Sequence, residues 1–445
     1  MSSHIERPRY QCALGGALVT INSIDRAVAI VHAAPGCAAS ADGAATVGGG
    51  YWGTTETDGR ATPSTNIVER EVIFGGEERL AEQIAATLEV VDADLYAVIT
   101  GCMTDIIGDD VRSVVSEFQR QGKPVIVAET GGFKGDSTVG ADFIWEAIFS
   151  QFVAKGLPKD ARRVNLFGFV PAQDVFWRGN LLELKRLLGL LGIEANTFLT
   201  PQDRLKELKE ASRASLNIVF SDVHGVKPAK LFEELHGTPF VTEPLPIGPT
   251  ATEAFLRRIA SLLKVDEETA EFAIAQEKAY YYSFINPMTD LVNDQDFQRF
   301  GIVIGNANYS YAVTRFISED LGWLPYLAAV TDLLHDDQQQ AVIERLETLP
   351  ADYRPKVIFE TDTDRITARL QEILEQEEDP YGNPIHPAFV IGSNLDRPLA
   401  AGIKAGFWGV SYPITNRIVT DQFYVGFRGG LRLATELISV LVANR

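Results

Sequence analysis

The sequence predicts an α/β protein of three domains, each built on a mostly parallel sheet flanked by helices. From about Leu95 onward, short β-branched or aromatic runs alternate with helical patterns of about ten to fifteen residues, the signature of βαβ units. The 445 residues exceed what one core of ~250–300 residues can serve, and length alone suggests about three domains. Polar stretches interrupt the alternation at Leu157–Arg163 (LPKDARR) and Asn293–Arg299 (NDQDFQR). The expected units are therefore 1–160, 161–295 and 296–445.

The segment before Leu95 stands apart, because CALGGALVT and the run from HAAPGC to RATPST are rich in glycine and small residues. It is expected not to pack a core through large side chains, but to allow turns and close approach of backbone to a cofactor or another chain. A surface loop is the plainer alternative. The first βαβ unit follows, with strands at Leu95–Thr100 (LYAVIT) and Pro124–Ala128 (PVIVA). Between them Val111, Val114, Val115 and Phe118 fall at helical spacing. A second series reads VNLFGFV, IEANTFL, LNIVF and TPFVTE, with the helix NLLELKRLLGLLG. A third reads FGIVIGN, LPYLAAV, KVIFE, AFVIG and WGVSYP, and closes on the helix GLRLATELISVLVANR.

Composition excludes several classes. A hydrophobic fraction of 46% and a charged fraction of 22%, with mean hydropathy +0.00, rule out collagenous, coiled-coil and largely disordered chains. Forty Lys and Arg against 60 Asp and Glu leave a net charge of −20, so no field draws in nucleic acid or an anionic membrane. No uncharged apolar run reaches the roughly 18 residues of a membrane span, and MSSHIERPRY lacks a secretion signal's apolar core. A cytoplasmic protein is expected.

The three cysteines, Cys12, Cys37 and Cys102, all lie in the first quarter among small residues, too far apart for a zinc knuckle or a ferredoxin loop. Any shared site must be assembled by the fold. Cys102 follows a strand at the carboxyl edge of a parallel sheet, where α/β folds bind ligands. An iron-sulfur cluster needs thiolates, backbone N–H groups to support its negative charge and glycines that let it approach the chain. Three cysteines leave a large cluster short of ligands, which hints at a partner chain. Buried free thiols are the competing reading, and Cys37 with nearby His32 leaves Cys-His nucleophilic chemistry open.

HAAPGC at His32–Cys37, EVIFGGEERL at Glu71–Leu80 and ITGCMTDIIGDDV at Ile99–Val111 together resemble the component-1 subunits of nitrogenase and its relatives. Looser likenesses follow at ETGGFKGDS, PLPIGPTATEAFL and GFRGGLRLATEL, so the resemblance spans nearly the whole chain. It implies three Rossmann-like domains. It also implies that Cys12, Cys37 and Cys102, with Gly36 and Gly101 beside them, hold half of a P-cluster-type iron-sulfur cluster (8Fe-7S, or smaller) shared with a partner subunit. In that family the α-like subunit carries the catalytic cofactor on a later cysteine and a histidine near the C-terminus. This chain has no cysteine after Cys102 and no histidine after His386, so it resembles the β-like, or K-type, subunit.

The implied partners are an α-like catalytic subunit carrying an iron-sulfur cofactor, in an α2β2 heterotetramer, and an ATP-dependent iron-protein reductase. Two departures, ADGAATVGGGYWGTTETDGRATPST after Cys37 and Gly131-Gly132 where a Pro-Ser pair is usual, point toward methylthio-alkane reductase. That enzyme cleaves a carbon-sulfur bond reductively. A dinitrogen-reducing β subunit and a non-catalytic cofactor-assembly scaffold are the alternatives. His32 is expected to orient the turn before Cys37, and Asp109 and Asp110 to start and cap a helix. Packing or a subunit interface accounts for Tyr280-Tyr281-Tyr282 and Trp408. Gly305 and Gly392 end strands but begin no complete phosphate-binding motif.

Overall fold

The computed structural model describes residues 5, 7–51, 62–171, 173–290, 299–376 and 387–443. The expected break at 295/296 and part of the glycine-rich run after Cys37 lie outside them. Three sheets are present among the described residues, each drawn from one consecutive stretch of chain. The first contains β1 (Ala27–His32), β2 (Leu95–Thr100) and β3 (Val125–Ala128) in that order. The second holds β4 (Asp160–Phe167), β5 (Glu194–Asn196), β6 (Ala214–Val219) and β7 (Phe240–Thr242), ordered β5-β4-β6-β7. The third holds β8 (Phe300–Gly305), β9 (Leu324–Val330), β10 (Lys356–Phe359), β11 (Phe389–Gly392) and β12 (Gly406–Gly409), ordered β10-β9-β8-β11-β12.

Every pairing between these strands is parallel, as in a Rossmann-like α/β fold. Parallel strands need helical crossovers on both faces, so their apolar runs are continuous rather than alternating. In β2, Leu95, Ala97 and Ile99 join the main core, whereas Tyr96 and Val98 pack against Leu80, Ile84 and Val111 on the other face. That main core is shared: Leu18, Leu166, Ile218, Val303 and Ile391, from all three sheet regions, belong to one apolar cluster.

Strands β2 to β12 each overlap an expected run, although β4 begins at Asp160, inside the stretch read as a break, and β12 (Gly406–Gly409) shares only Trp408-Gly409 with WGVSYP; β1 was not anticipated, and the reading of its neighbourhood is corrected. The helix α1 (Ala13–Asn22) is buried over all ten residues, with Leu14, Leu18 and Ile21 in the main core. The helices α2 (Pro35–Gly48), α3 (Glu69–Phe74) and α4 (Glu77–Val90) follow. Beyond β2 come α5 (Cys102–Ile107) and α6 (Val111–Arg120), and beyond β3 comes α7 (Ser137–Gln151). Small residues serve close helix packing here: a Cβ on Gly16 would collide with the Ser137 carbonyl of α7, and one on Gly140 with the Ala13 carbonyl of α1.

Two contacts close the ends of sheets. Along the free side of β3, the Gln151 side chain accepts from the Val127 N–H (3.1 Å) and donates to the Val127 carbonyl (2.9 Å), while Gln119 donates to the Val125 carbonyl (2.9 Å). In the third sheet the strand order reverses between β8 and β11, the place where such folds take ligands. Just beyond β11, Arg9 donates to Ser393 Oγ (3.0 Å) and Asp396 Oδ2 (2.8 Å), and both charged side chains are 1% exposed. A Cβ on Gly392 would press against that carboxylate (2.5 Å). The Arg9 side chain thus reaches into this end of the sheet. No helix among the described residues is long and apolar enough to cross a membrane.

Candidate functional site

Strands β1 and β2 end side by side, with His32 paired to Thr100, so HAAPGC and TGC leave the same carboxyl edge. Cys37 is the third residue of α2, whose first position is Pro35, a residue with φ preset for a helix start. Cys102 opens α5. Gly101 donates its N–H to the His32 carbonyl (2.9 Å), which also accepts from Thr104 Oγ1 (2.8 Å). Cys12 is the N-cap of α1. It is held at the edge by an antiparallel bridge to Asp136 and by the Ala13 N–H bond to the Gly135 carbonyl (3.0 Å).

The loop after β3 joins Cys12 to Cys102. The Gly132 N–H donates to Cys102 Sγ at 3.1 Å. A Cβ on Gly132 would lie 3.1 Å from that sulfur, 3.1 Å from Cys12 Cβ and 3.3 Å from Cys12 Sγ, so both thiols flank one point. Burial pushes the Cys37 thiol pKa up, with a smaller contribution in the same direction from Cys102 and Cys12. All three thiols are free, Cys12 and Cys102 exposed and Cys37 half-buried. Exposure is unusual for a residue type that is most often fully buried.

Chemically, the site offers three soft ligands, two of them at the N-termini of α1 and α2, where the helix dipole favours negative charge. No group of three or more His, Cys, Asp or Glu among the described residues could hold a metal ion. Of the small residues at the site, Gly101 is required by packing, since a Cβ there would sit 2.6 Å from Ala33 Cβ, whereas the space at Gly36 is open. Gly15 abuts Gln11, and Gly16 is taken up by the crossing with α7.

Behind the thiols lies a buried polar group. Fully buried His32 sits 2.9 Å from Asp109 Oδ2 through Nε2 and 3.1 Å from Thr65 Oγ1 through Nδ1. Burial holds its pKa below the usual histidine value against the pull of Asp109, so Nε2 carries the proton and donates to Asp109. Asp109 Oδ1 also accepts from the Gly76 N–H (2.8 Å), fixing the Phe74-Gly75-Gly76 turn beside β1. Asp110, not Asp109, caps α6, accepting from the Ser113 N–H (3.0 Å); the expected capping role of Asp109 is corrected accordingly.

Large apolar side chains are exposed on and beside the thiol-bearing elements: Ile106 (74%) and Met103 on α5, Phe133 (61%) next to Gly132, and Phe74 (81%) and Ile73 on α3, which packs against α5. The sequence reading missed these side chains and the Gly132 donor; a phenylalanine set between glycines and charged residues was the available signal. Elsewhere, Tyr281 is buried between exposed Tyr280 and Tyr282. Trp408 donates to Glu436 (3.0 Å) under the Arg417 guanidinium (4.2 Å to the ring).

Comparison with known proteins places these features. The sequence model described as "Nitrogenase component 1 type Oxidoreductase" matches residues 12–442. The nitrogenase molybdenum-iron protein beta chain of Sinorhizobium fredii is 24% identical over 98% of this chain and 84% of its own length. The nitrogenase iron-molybdenum cofactor biosynthesis protein NifE of Bradyrhizobium diazoefficiens is 27% identical over 62% of this chain and half of its own length. Among solved structures, one titled "Nitrogenase Cp1 at pH 6.5" superposes with a TM-score of 0.80, covering 100% of this chain and 94% of that one at 18% identity. That likeness is one of fold.

Proposed function

This chain belongs to the nitrogenase component 1 type oxidoreductases, and on that premise we propose that it is the β-type subunit of a nitrogenase-like reductase, holding half of an iron-sulfur cluster shared with an α-like partner. The observation that carries this reading is the gathering of three free thiols at one sheet edge, two of them exposed and flanking Gly132. Thiolates that serve several irons need not converge on one ion, and soft thiolates are the ligands such irons take. The exposed set of Phe74, Ile106 and Phe133 has the character of a surface covered by another chain.

The fit of residues to cluster is chemical. Cys12, Cys37 and Cys102 would supply soft, charged ligands, α1 and α2 direct their N-terminal N–H groups toward that charge, and Gly132 adds an N–H to sulfur. When bound, the cluster supplies one-electron transfer. The chain's own residues orient the ligands: Thr104 and Gly101 tie the β2 exit to His32, and the His32–Asp109 pair holds the turn that carries Phe74. Electrons from an ATP-dependent reductase would enter here and leave into the partner, where reduction takes place.

The relatives named above are a nitrogenase chain and a nitrogenase cofactor biosynthesis protein. They favour dinitrogen as the substrate of the assembled enzyme over the methylthio-alkanes suggested by Gly131-Gly132. The test is anaerobic co-purification with the α-like partner. Cys37→Ala is expected to lose most cluster iron, and iron unchanged from wild type would sink the ligand assignment. Supplied with its reductase, ATP and parallel dinitrogen and dimethyl sulfide, the complex is expected to yield ammonia. Methane and methanethiol would establish carbon-sulfur cleavage instead, and a transferable cluster without ATP-dependent turnover would establish a scaffold.

A further inference from the structure

We propose that Gly132 is a positioning residue of the thiol site, acting twice: its N–H is a fixed donor to Cys102 Sγ, and its missing side chain makes room for Cys12 and Cys102 on one face of a cluster. The proposal rests on the reading of these cysteines as cluster ligands and adds a residue that carries no metal-binding side chain.

The loop that presents Gly132 is tied down from both sides. Thr130 donates its N–H to Thr100 Oγ1 (2.8 Å) and its hydroxyl to the Thr100 carbonyl (2.9 Å), which anchors the loop to the end of β2. Asp105, on α5, accepts from the Gly131 N–H (3.2 Å) and pairs with Lys134 (2.7 Å), whose Nζ also donates to the Glu129 carbonyl (3.2 Å). Gly132 therefore moves with the same elements that place Cys102. Its N–H reaches the sulfur at 3.1 Å, within the range of a bond that favours charge on sulfur.

The backbone does not demand glycine at this position. Gly132 opens a short 3-10 turn and is absent from the positive-φ residues, unlike Gly135 at φ 159. Space is tight instead: an added Cβ would meet Cys102 Sγ at 3.1 Å, Cys12 Cβ at 3.1 Å and Cys12 Sγ at 3.3 Å, so both cysteines would have to give by a few tenths of an ångström. A free cysteine can rotate away from such a contact; one ligated to iron cannot. Hydrogen bonds to cluster sulfurs stabilise the more negative, reduced state, so this donor raises the reduction potential.

Two substitutions separate the two roles in the co-purified complex. Gly132→Ala keeps the N–H and adds the Cβ. An amide-to-ester replacement at Gly132, with glycolic acid in place of glycine, removes the N–H and adds no atom, so it takes away the donor to Cys102 Sγ and leaves the space as it is. Iron per complex, far-ultraviolet circular dichroism and the midpoint potential from an EPR-monitored titration are read for each, with Gly189→Ala, where a Cβ meets nothing within 4 Å, as the control.

Expected are a severalfold loss of iron in Gly132→Ala with unchanged circular dichroism, wild-type iron in the control, and a midpoint in the ester variant below that of wild type. Wild-type iron in Gly132→Ala would overturn the spacing role, and a midpoint in the ester variant equal to that of wild type would overturn the donor role. A wild-type complex without iron would instead overturn the ligand assignment on which both rest.

Discussion

Replacing Arg9 by Met tests how the N-terminal segment is held. Its guanidinium is 1% exposed and pairs with a carboxylate equally buried at Asp396. Removing one partner of such a pair typically costs about 3–5 kcal/mol, because the other charge stays buried. Asp396 would keep its bonds from the Ser393 N–H (2.7 Å) and hydroxyl (3.1 Å), which places the expected loss near the lower end, about 3 kcal/mol or a hundredfold in the folding equilibrium. Arg9 Nε also finds no hydrogen-bond partner among the described residues, so the wild-type pair itself carries an unsatisfied donor. Arg9→Met with Asp396→Asn, which keeps an acceptor for the Ser393 N–H and leaves no buried charge, should accordingly recover most of the loss. Urea unfolding followed by circular dichroism measures both. A single-variant loss below about 1 kcal/mol, or a double variant as unstable as the single, would refute the account.

The remaining predictions concern the junction of the sheets and the thiol edge. Burial works against a charged His224, but Asp332 at 3.3 Å, with Asp136 and Asp142, overcomes it and holds its pKa at about 9. That raised value contributes stability fully present below the unfolded value of about 6.5 and lost as pH rises through 9. Thermal melts of wild type should fall between pH 7 and 9.5 by the equivalent of roughly 2–4 kcal/mol, and a His224→Gln variant should lack this slope. Gly16→Val should force α1 from α7 and cost about 1–3 kcal/mol or more, seen as a lowered melting temperature. Gly43→Ala, on the open face of α2, should instead gain up to about 1 kcal/mol.

Much of this architecture was legible because parallel strands covered on both faces write themselves as unbroken apolar runs, as LYAVIT and LPYLAAV do. The first strand was hidden for a related reason. Ala27 and Ala29 in AVAIVH are small where α1 packs, and the glycines on either side read as a loop. Long-range pairings such as Arg9 with Asp396, or Asp109 with both His32 and Gly76, leave no local pattern, since the partners are separated by tens to hundreds of residues. At the thiol edge the cysteines could be named from sequence, but not which glycine stands between them. Gly132 is marked by a backbone donor and an empty volume, and neither is a property of residue type.

The amide of Gln151 imitates one rung of a neighbouring strand along β3. With Val127 satisfied by that side chain and Val125 by Gln119, the exposed margin of the first sheet presents few free backbone groups to a stranger. A second chain cannot simply extend this sheet. Association is steered away from main-chain zippering, which is indifferent to sequence, and toward the side chains at the perpendicular carboxyl edge, where recognition depends on which residues a partner carries.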